Sequence, residues 1–280
     1  MDSLKVRPSP LAGIWYPGDD RTLRQQVCDY MKNAEPPELE GEVVALIAPH
    51  AGYRYSGQTA GYAFRCVRDM SPDIVAILSP FHDYHPMPLL TTAYQAYETP
   101  LGIIPVAQEA VSALNTYLGE EIGEDLEFIV QEREHAVEIE LPFLQCALVS
   151  PFRLLPLMLS TNDAALMYQV GEGLANVLKT HSSLLVASTD LSHFYTQAVA
   201  DKLDQEMLHQ IETFSPEGVL RVQQEGSGLA CGVMAVVAVM VAARLLGANK
   251  AQVLHHSTSG ESSGDYNSVV GYGAVALVKS

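Results

Sequence analysis

Three apolar runs each end in polar residues able to do chemistry. Val43–Ala48 (VVALIA) leads into Pro49-His50-Ala51-Gly52-Tyr53, and Ile74–Leu78 (IVAIL) leads into Ser79-Pro80-Phe81-His82-Asp83. Leu184–Ala187 (LLVA) leads into Ser188-Thr189-Asp190-Leu191-Ser192-His193. A lone histidine after a strand usually caps or packs. Three such ends in one sheet point to a shared site, because ligands of open α/β sheets bind beyond the carboxyl ends of the strands.

Two further segments carry reactive side chains. In Glu134-His135-Ala136-Val137-Glu138, a helical backbone would put His135 and Glu138 on one face. Taken by itself, that segment reads as a solvated, charged helix start. In Gly228-Leu229-Ala230-Cys231-Gly232, the cysteine stands between glycines at the start of the most apolar helix. The helix dipole there favours a thiolate. Cys28, Cys66 and Cys146 lie inside amphipathic patterns and read as small buried hydrophobes.

These parts allow more than one chemistry. Two imidazoles and a thiolate can hold a metal with open positions. Cys231, His193 and Asp190 could instead form a nucleophile, base and orienting acid. No G-x-S-x-G elbow supports a serine hydrolase. No P-loop and no G-x-G-x-x-G after a strand supports a nucleotide site. Tyr53 and Tyr55 stand close enough to His50 to line a pocket with it.

The elements that must position these residues alternate along the chain. The continuous apolar runs, with Leu154–Leu159 added, read as strands buried on both faces. Val253–His256 and Val269–Val278 read as the last two strands. Helical periodicity covers about 57–69, 107–118, 136–148, 163–179, 197–213, 215–224 and 229–246, and a helix capped by Asp19 or Asp20 precedes them. Pro142 should kink or shorten the helix that contains it. With no internal repeat and no dividing linker, residues 1–280 read as a single α/β domain. Its central mixed or mostly parallel sheet carries helices on both faces.

Composition narrows the partners. The chain has 280 residues, 48% of them apolar, with 33 acidic against 16 basic residues and a net charge of −17. Nucleic acid and anionic membrane surfaces need a basic footprint, which this balance argues against. The apolar stretch Leu229–Ala243 is too short for a membrane span and reads as a core helix. The N-terminal MDSLKVRPSPLAG lacks the apolar region of a secretory leader, and the four cysteines show no framework spacing. The expectation is a cytoplasmic protein.

The same residues resemble the Memo family, called AmmeMemoRadiSam system protein B in prokaryotes. The matching segments are AGIWYP at 12–17, APHAGYRYSG at 48–57, LSPFHDYH at 78–85 and EHAVEIELPF at 134–143. STDLSHF at 188–194, ACG at 230–232 and STSGESSGDYNSVVGYGA at 257–274 follow in order. The resemblance implies a fold similar to class III extradiol dioxygenases, which hold non-haem iron(II) with two histidines and a carboxylate. It implies His50, His82 and Cys231 as metal ligands, with Cys231 replacing the carboxylate. It places His193 at the general base, and His135 and Asp190 in the pocket as further catalytic candidates. Asp190 could then orient His193 or a metal-bound water.

The implied cofactor is Fe(II), with Zn(II) or Cu also compatible with this donor set. The implied function is a dioxygenase-like oxidoreductase acting on a small molecule. The other reading is a non-catalytic module that binds a peptide or protein in the inherited pocket, as the link of eukaryotic Memo proteins to phosphotyrosine-containing receptor tails implies. The family name also implies radical-SAM and AMMECR-type companion proteins. Eukaryotic members carry a second histidine where this chain has Asp83 and a histidine where it has Glu140, so the charge around the ligands differs here.

Overall fold

A computed structural model describes residues 4–280. The first three residues of the N-terminal segment read for a leader lie outside them. The chain runs β1 (Val6–Arg7), α1 (Asp20–Asn33), β2 (Glu42–Ala48), α2 (Tyr53–Arg65), β3 (Ile74–Pro80), β4 (Leu89–Thr92), β5 (Ala96–Thr99) and β6 (Gly102–Pro105). It continues with α3 (Gln108–Ile122), β7 (Glu127–Ile129), a 3-10 turn (Glu138–Glu140), α4 (Leu141–Ala147), β8 (Arg153–Leu159), α5 (Ala164–Leu178), β9 (Ser183–Ser188) and β10 (His193–Tyr195). The last part is α6 (Gln197–Glu212), α7 (Pro216–Glu225), α8 (Val233–Leu245), β11 (Lys250–Thr258), α9 (Ser259–Ser263) and β12 (Val269–Lys279).

The main sheet is mixed. Its centre is four parallel strands in the order β2-β9-β3-β8. Strand β12 pairs antiparallel with β2 and with β11, and β4 pairs antiparallel with β8. The central strands are the continuous apolar runs, and almost every side chain of β3, β8 and β9 is buried. That is what helices on both faces require. Helices α1, α2 and α4 pack together on one side, and α5 and α8 pack together with α3 and α7 on the other. Among the described residues, no helix is long and apolar enough to cross a membrane. The stretch around α8 is a core helix, with ten of its residues buried.

Parallel alignment has a direct consequence for the site. Strands β2, β9 and β3 are adjacent and point the same way, so their three polar carboxyl ends emerge side by side. Helix α8 touches the same three strands, which brings Cys231, just before it, to the same end.

Two local expectations need correction. The helix expected over 136–148 is a 3-10 turn followed by the short α4, and Pro142 sits in the first turn of α4, where its missing N–H costs no bond. His135 and Glu138 therefore do not share a helical face. Nor is Glu134–Glu138 a solvated helix start, since Glu134, Glu138 and Glu140 are all buried. The partner of the Glu138 carboxylate comes from far away in sequence. Arg7 on β1 pairs with Glu132 and Glu138 and donates to the Glu134 carbonyl at 2.8 Å. Tyr16 and Ser9 hydroxyls also donate to Glu138, at 2.6 and 2.8 Å. The N-terminal segment thereby clamps the loop that carries His135.

Candidate metal centre

His50 leaves β2 and is buried. Its backbone N–H donates to Asp190 Oδ1 at 2.8 Å, which ties the end of β2 to the end of β9. Ser188 Oγ lies 2.7 Å from Ala136 O, 2.8 Å from Glu140 Oε1 and 3.0 Å from His50 Nδ1. The hydroxyl has one proton, which goes to an oxygen acceptor, so it accepts from His50 Nδ1–H. His50 Nε2 is left with a bare lone pair. Burial first, and then the neighbouring His135 and His82, push the His50 pKa well down, so the ring is neutral.

His82 and His135 are oriented by one carboxylate. Glu134 accepts from the backbone N–H of His82 at 2.7 Å, of His135 at 2.8 Å and of Ala136 at 2.9 Å. His82 Nδ1 donates to the same carboxylate at 3.0 Å, and His135 Nδ1 lies 3.3 Å from Glu134 Oε1. Both rings therefore turn Nε2 away from Glu134. Burial opposes the Glu134 charge, but the hydrogen bonds and His82 outweigh it and hold the carboxyl at about 2. Burial also lowers the His82 pKa, and Glu134 more than offsets it, leaving it raised. His135, mainly through burial, is lowered to about 4.

The three rings converge. His50, His82 and His135 each bring one ring nitrogen to within 4.8 Å of the others. The His82 and His135 rings are near-parallel, 25° apart with centroids at 4.4 Å, and His50 stands edge-on to both at 5.2 Å. Trp15 covers the outer face of His135 at 4.5 Å. Neutral imidazoles whose second nitrogen is held from behind are the usual ligands of a first-row metal, so these residues fit one.

Cys231 lies beside the cluster. Its Sγ is 3.2 Å from His50 Nε2 and accepts from the Asp190 backbone N–H at 3.3 Å. Gly232, the N-cap of α8, admits this approach, because a Cβ there would lie 2.5 Å from Ser188 O. The expected activation by the helix dipole does not hold. Burial first, and then Asp190, push the thiol up to about 12. The imidazole that Cys231 meets is His50 and not His193, so a Cys231–His193–Asp190 set is not assembled.

His193 and Asp190 share the site without touching in the way expected. His193 Nδ1 donates to Leu191 O at 2.8 Å, which leaves Nε2 free, and burial lowers its pKa. Asp190 instead holds the backbone of His50, and burial, opposed by the His50 and Ala51 N–H groups, raises its carboxyl to about 7. His50, His82, His135, Asp190 and His193 all line one cavity of about 870 Å³. Cys231 opens instead on a neighbouring cavity of about 370 Å³ that also reaches His82.

Tyr55 lines the larger cavity, but Tyr53 is buried and donates its hydroxyl to Ile139 O at 2.8 Å. Several wall residues were not singled out from sequence: Arg54, Phe194, Tyr272 and the Ser259–Asp265 segment. Arg54 adjoins the APHAGY segment and Phe194 follows His193, so neighbourhood was the available signal.

Comparison with known proteins agrees with this architecture. The family model described as Memo-like protein matches residues 7–276. A MEMO1 family protein of Nitrosopumilus maritimus is 32% identical over 98% of this chain and 100% of its own length. A MEMO1 family protein of Aquifex aeolicus is 31% identical over 96% of this chain and 98% of its own. Among solved structures, an uncharacterized protein from Escherichia coli K12 shares the fold, with a TM-score of 0.54 and 15% identity over 84% of this chain and 99% of that one.

Proposed function

This chain belongs to the Memo-like protein family, and from that premise we propose that it is a mononuclear metal protein acting on a small molecule by dioxygenase-like redox chemistry. The observation that carries the proposal is the convergence of three imidazoles whose outward nitrogens are held by Ser188 and Glu134. His50 and His82 are the constant ligands in this reading, and Cys231 is the third. Two ligands of one metal, at about 2.0 and 2.3 Å and near-tetrahedral, stand about 3.5 Å apart. The His50 Nε2 to Cys231 Sγ separation of 3.2 Å is close to that. His135 competes for the third place, since its nitrogen belongs to the converging set.

The family resemblance puts Fe(II) first, with Zn(II) and Cu as alternatives. The metal would supply Lewis acidity and, for iron or copper, one-electron chemistry. The chain supplies the rest. His193 Nε2 faces the cavity as proton acceptor or donor. Asp190, protonated up to about pH 7, fixes the His50 backbone and holds a second exchangeable proton on the same wall. Trp15 and Tyr272 give the same wall two apolar ring faces.

Elemental analysis of protein purified without oxygen or chelator tests this. Wild type and His135→Ala should hold about one metal per chain, and Cys231→Ser should lose it while staying folded by circular dichroism. His193→Ala should keep its metal and lose metal-dependent oxygen consumption with a phenol or thiol by about 10²–10⁴-fold. Full metal content in Cys231→Ser with none in His135→Ala would move the third ligand to His135. A protein that keeps peptide affinity after metal removal and consumes no oxygen would be the binding module instead.

A further inference from the structure

The wall of the larger cavity grades from the buried His50 imidazole, past the half-buried His135 and the exposed His82, to exposed apolar side chains. His50 lies at the closed end, and Ile14 and Phe194 stand 78% and 76% exposed at the open end. Phe194 is held at a φ of 65°, a left-handed backbone that a bulky residue adopts only under strain. Such strain beside His193 suits a ring presented to a ligand. Trp15, Tyr55 and Tyr272 add three more ring faces to the same wall. A volume of about 870 Å³ is in the range of small-molecule sites.

One cation shares this wall. Arg54, in the first turn of α2, is the one Lys or Arg among the lining residues. Its guanidinium lies over the Tyr55 ring at 5.6 Å. Among the described residues, the ion pairs of Arg and Lys side chains are made by Arg7, Arg153 and Lys250, and no carboxylate lies within 4 Å of Arg54. Of the two acids in the lining, Asp190 holds the His50 backbone and Asp265 accepts at Oδ1 from the Asn267 backbone and side-chain N–H groups at 2.9 and 3.1 Å. In a chain of net charge −17, the general field repels anions. An arginine held by a ring and left without a carboxylate offers a planar fork of donors to an acid that comes from outside.

We infer that Arg54 is the specificity-determining residue of this cavity and selects a small planar organic carboxylate, its ring lying among Trp15, Tyr55 and Phe194 and its acid group on the guanidinium. The inference rests on reading the cavity as a small-molecule site. A guanidinium–carboxylate contact of this kind is worth about tenfold or more in affinity.

The test uses 4-hydroxybenzoate and the neutral 4-hydroxybenzamide, titrated calorimetrically into the full chain as purified and again after chelation. Chelation matters because a bound metal would itself attract a carboxylate. Wild type should bind the acid about tenfold more tightly than the amide in both states. Arg54→Gln should bring the two within about twofold, and Arg54→Lys should keep part of the difference. Asp265→Asn should leave the preference in place or strengthen it. Near-UV circular dichroism should be unchanged, since Arg54 is exposed. Equal affinity for the two probes in wild type, a preference that survives Arg54→Gln, or no binding of either probe would overturn the inference. Metal content, measured on the same protein, is independent of these titrations, so a failed anion preference and a failed metal site give different results.

Discussion

Glu134 determines the arrangement of two of the three imidazoles, although it lines neither of the two cavities at the site. It takes three backbone N–H groups and the His82 ring proton. Glu134→Gln keeps the shape and removes the charge. The His82 pKa should fall, because the carboxylate is what holds it up. Metal affinity should weaken by about 10–100-fold, the usual effect of losing a carboxylate behind a ligating histidine. Competition against a chelator of known affinity reads this, and an unchanged affinity would place the metal away from His82. Asp190 gives a second prediction at this scale, on metal-free protein. An unfolded aspartate ionises near pH 4, whereas folded Asp190 holds its proton to about 7. Between those values the folded state carries the extra proton, so stability falls as pH rises through about 7. Asp190→Asn is neutral throughout and lacks that slope. Urea unfolding at pH 5 and pH 8 should show wild type losing stability relative to the variant at the higher pH.

Helices and strands explain which parts of this site were legible in the sequence. Strands β2, β3, β8 and β9 announce themselves because burial on both faces makes them continuously apolar, and their polar ends stand out against that background. The same logic exposed His50, His82, Asp190 and His193. The short strands β4 to β7 lie toward one edge or in the small β1-β5-β6 sheet, where three or four residues are too few for a period. The acidic loop at 134–140 misled for a different reason. Glutamates read as surface until a cation is found for them, and Arg7 is 131 residues from Glu138. Cys231 was legible as a residue and not as a state, because the helix-dipole argument omits the desolvation that Gly232 makes possible by letting α8 press against β9. That contact is testable. Gly232→Ala would put a Cβ 2.5 Å from Ser188 O and 2.8 Å from Thr189 Cβ. Both are held by the sheet end, so the start of α8 must move. We expect a loss of about 1–3 kcal/mol and weaker metal binding, because Cys231 moves away from His50. Denaturant midpoints and metal content measure the two effects separately. Unchanged midpoints would mean that α8 adjusts freely.

For the molecule as a whole, metal binding, protonation and folding draw on the same histidines. Burial holds His50 and His135 neutral in the fold, whereas unfolded histidines take up protons below about pH 6.5. The unfolded chain therefore binds more protons as pH falls from about 6.5 toward 4, and the metal-free protein loses stability over that window. His82 runs the other way. Glu134 raises its pKa, so it adds stability at low pH that is lost as pH rises through its folded value. A metal needs all its ligands deprotonated; the Cys231 thiol, pushed up to about 12, gives up its proton only to the metal, and among the imidazoles His82 gives up its proton last. The stabilisation from added metal should consequently be largest at pH 8 and shrink steeply below the raised His82 value. At a free metal concentration about 100 times the Kd, linkage gives about 2.7 kcal/mol, or roughly 5 °C in Tm for a chain of this size. Thermal unfolding of metal-loaded and chelated protein at pH 5, 6, 7 and 8 should show that gap at pH 8 and almost none at pH 5. In Glu134→Gln, where His82 titrates lower, the gap should persist to more acidic pH while being smaller at pH 8. A gap of constant size from pH 5 to 8 would mean that the stabilising metal sits on carboxylates elsewhere in this acidic chain and not on the histidines at the ends of β2 and β3.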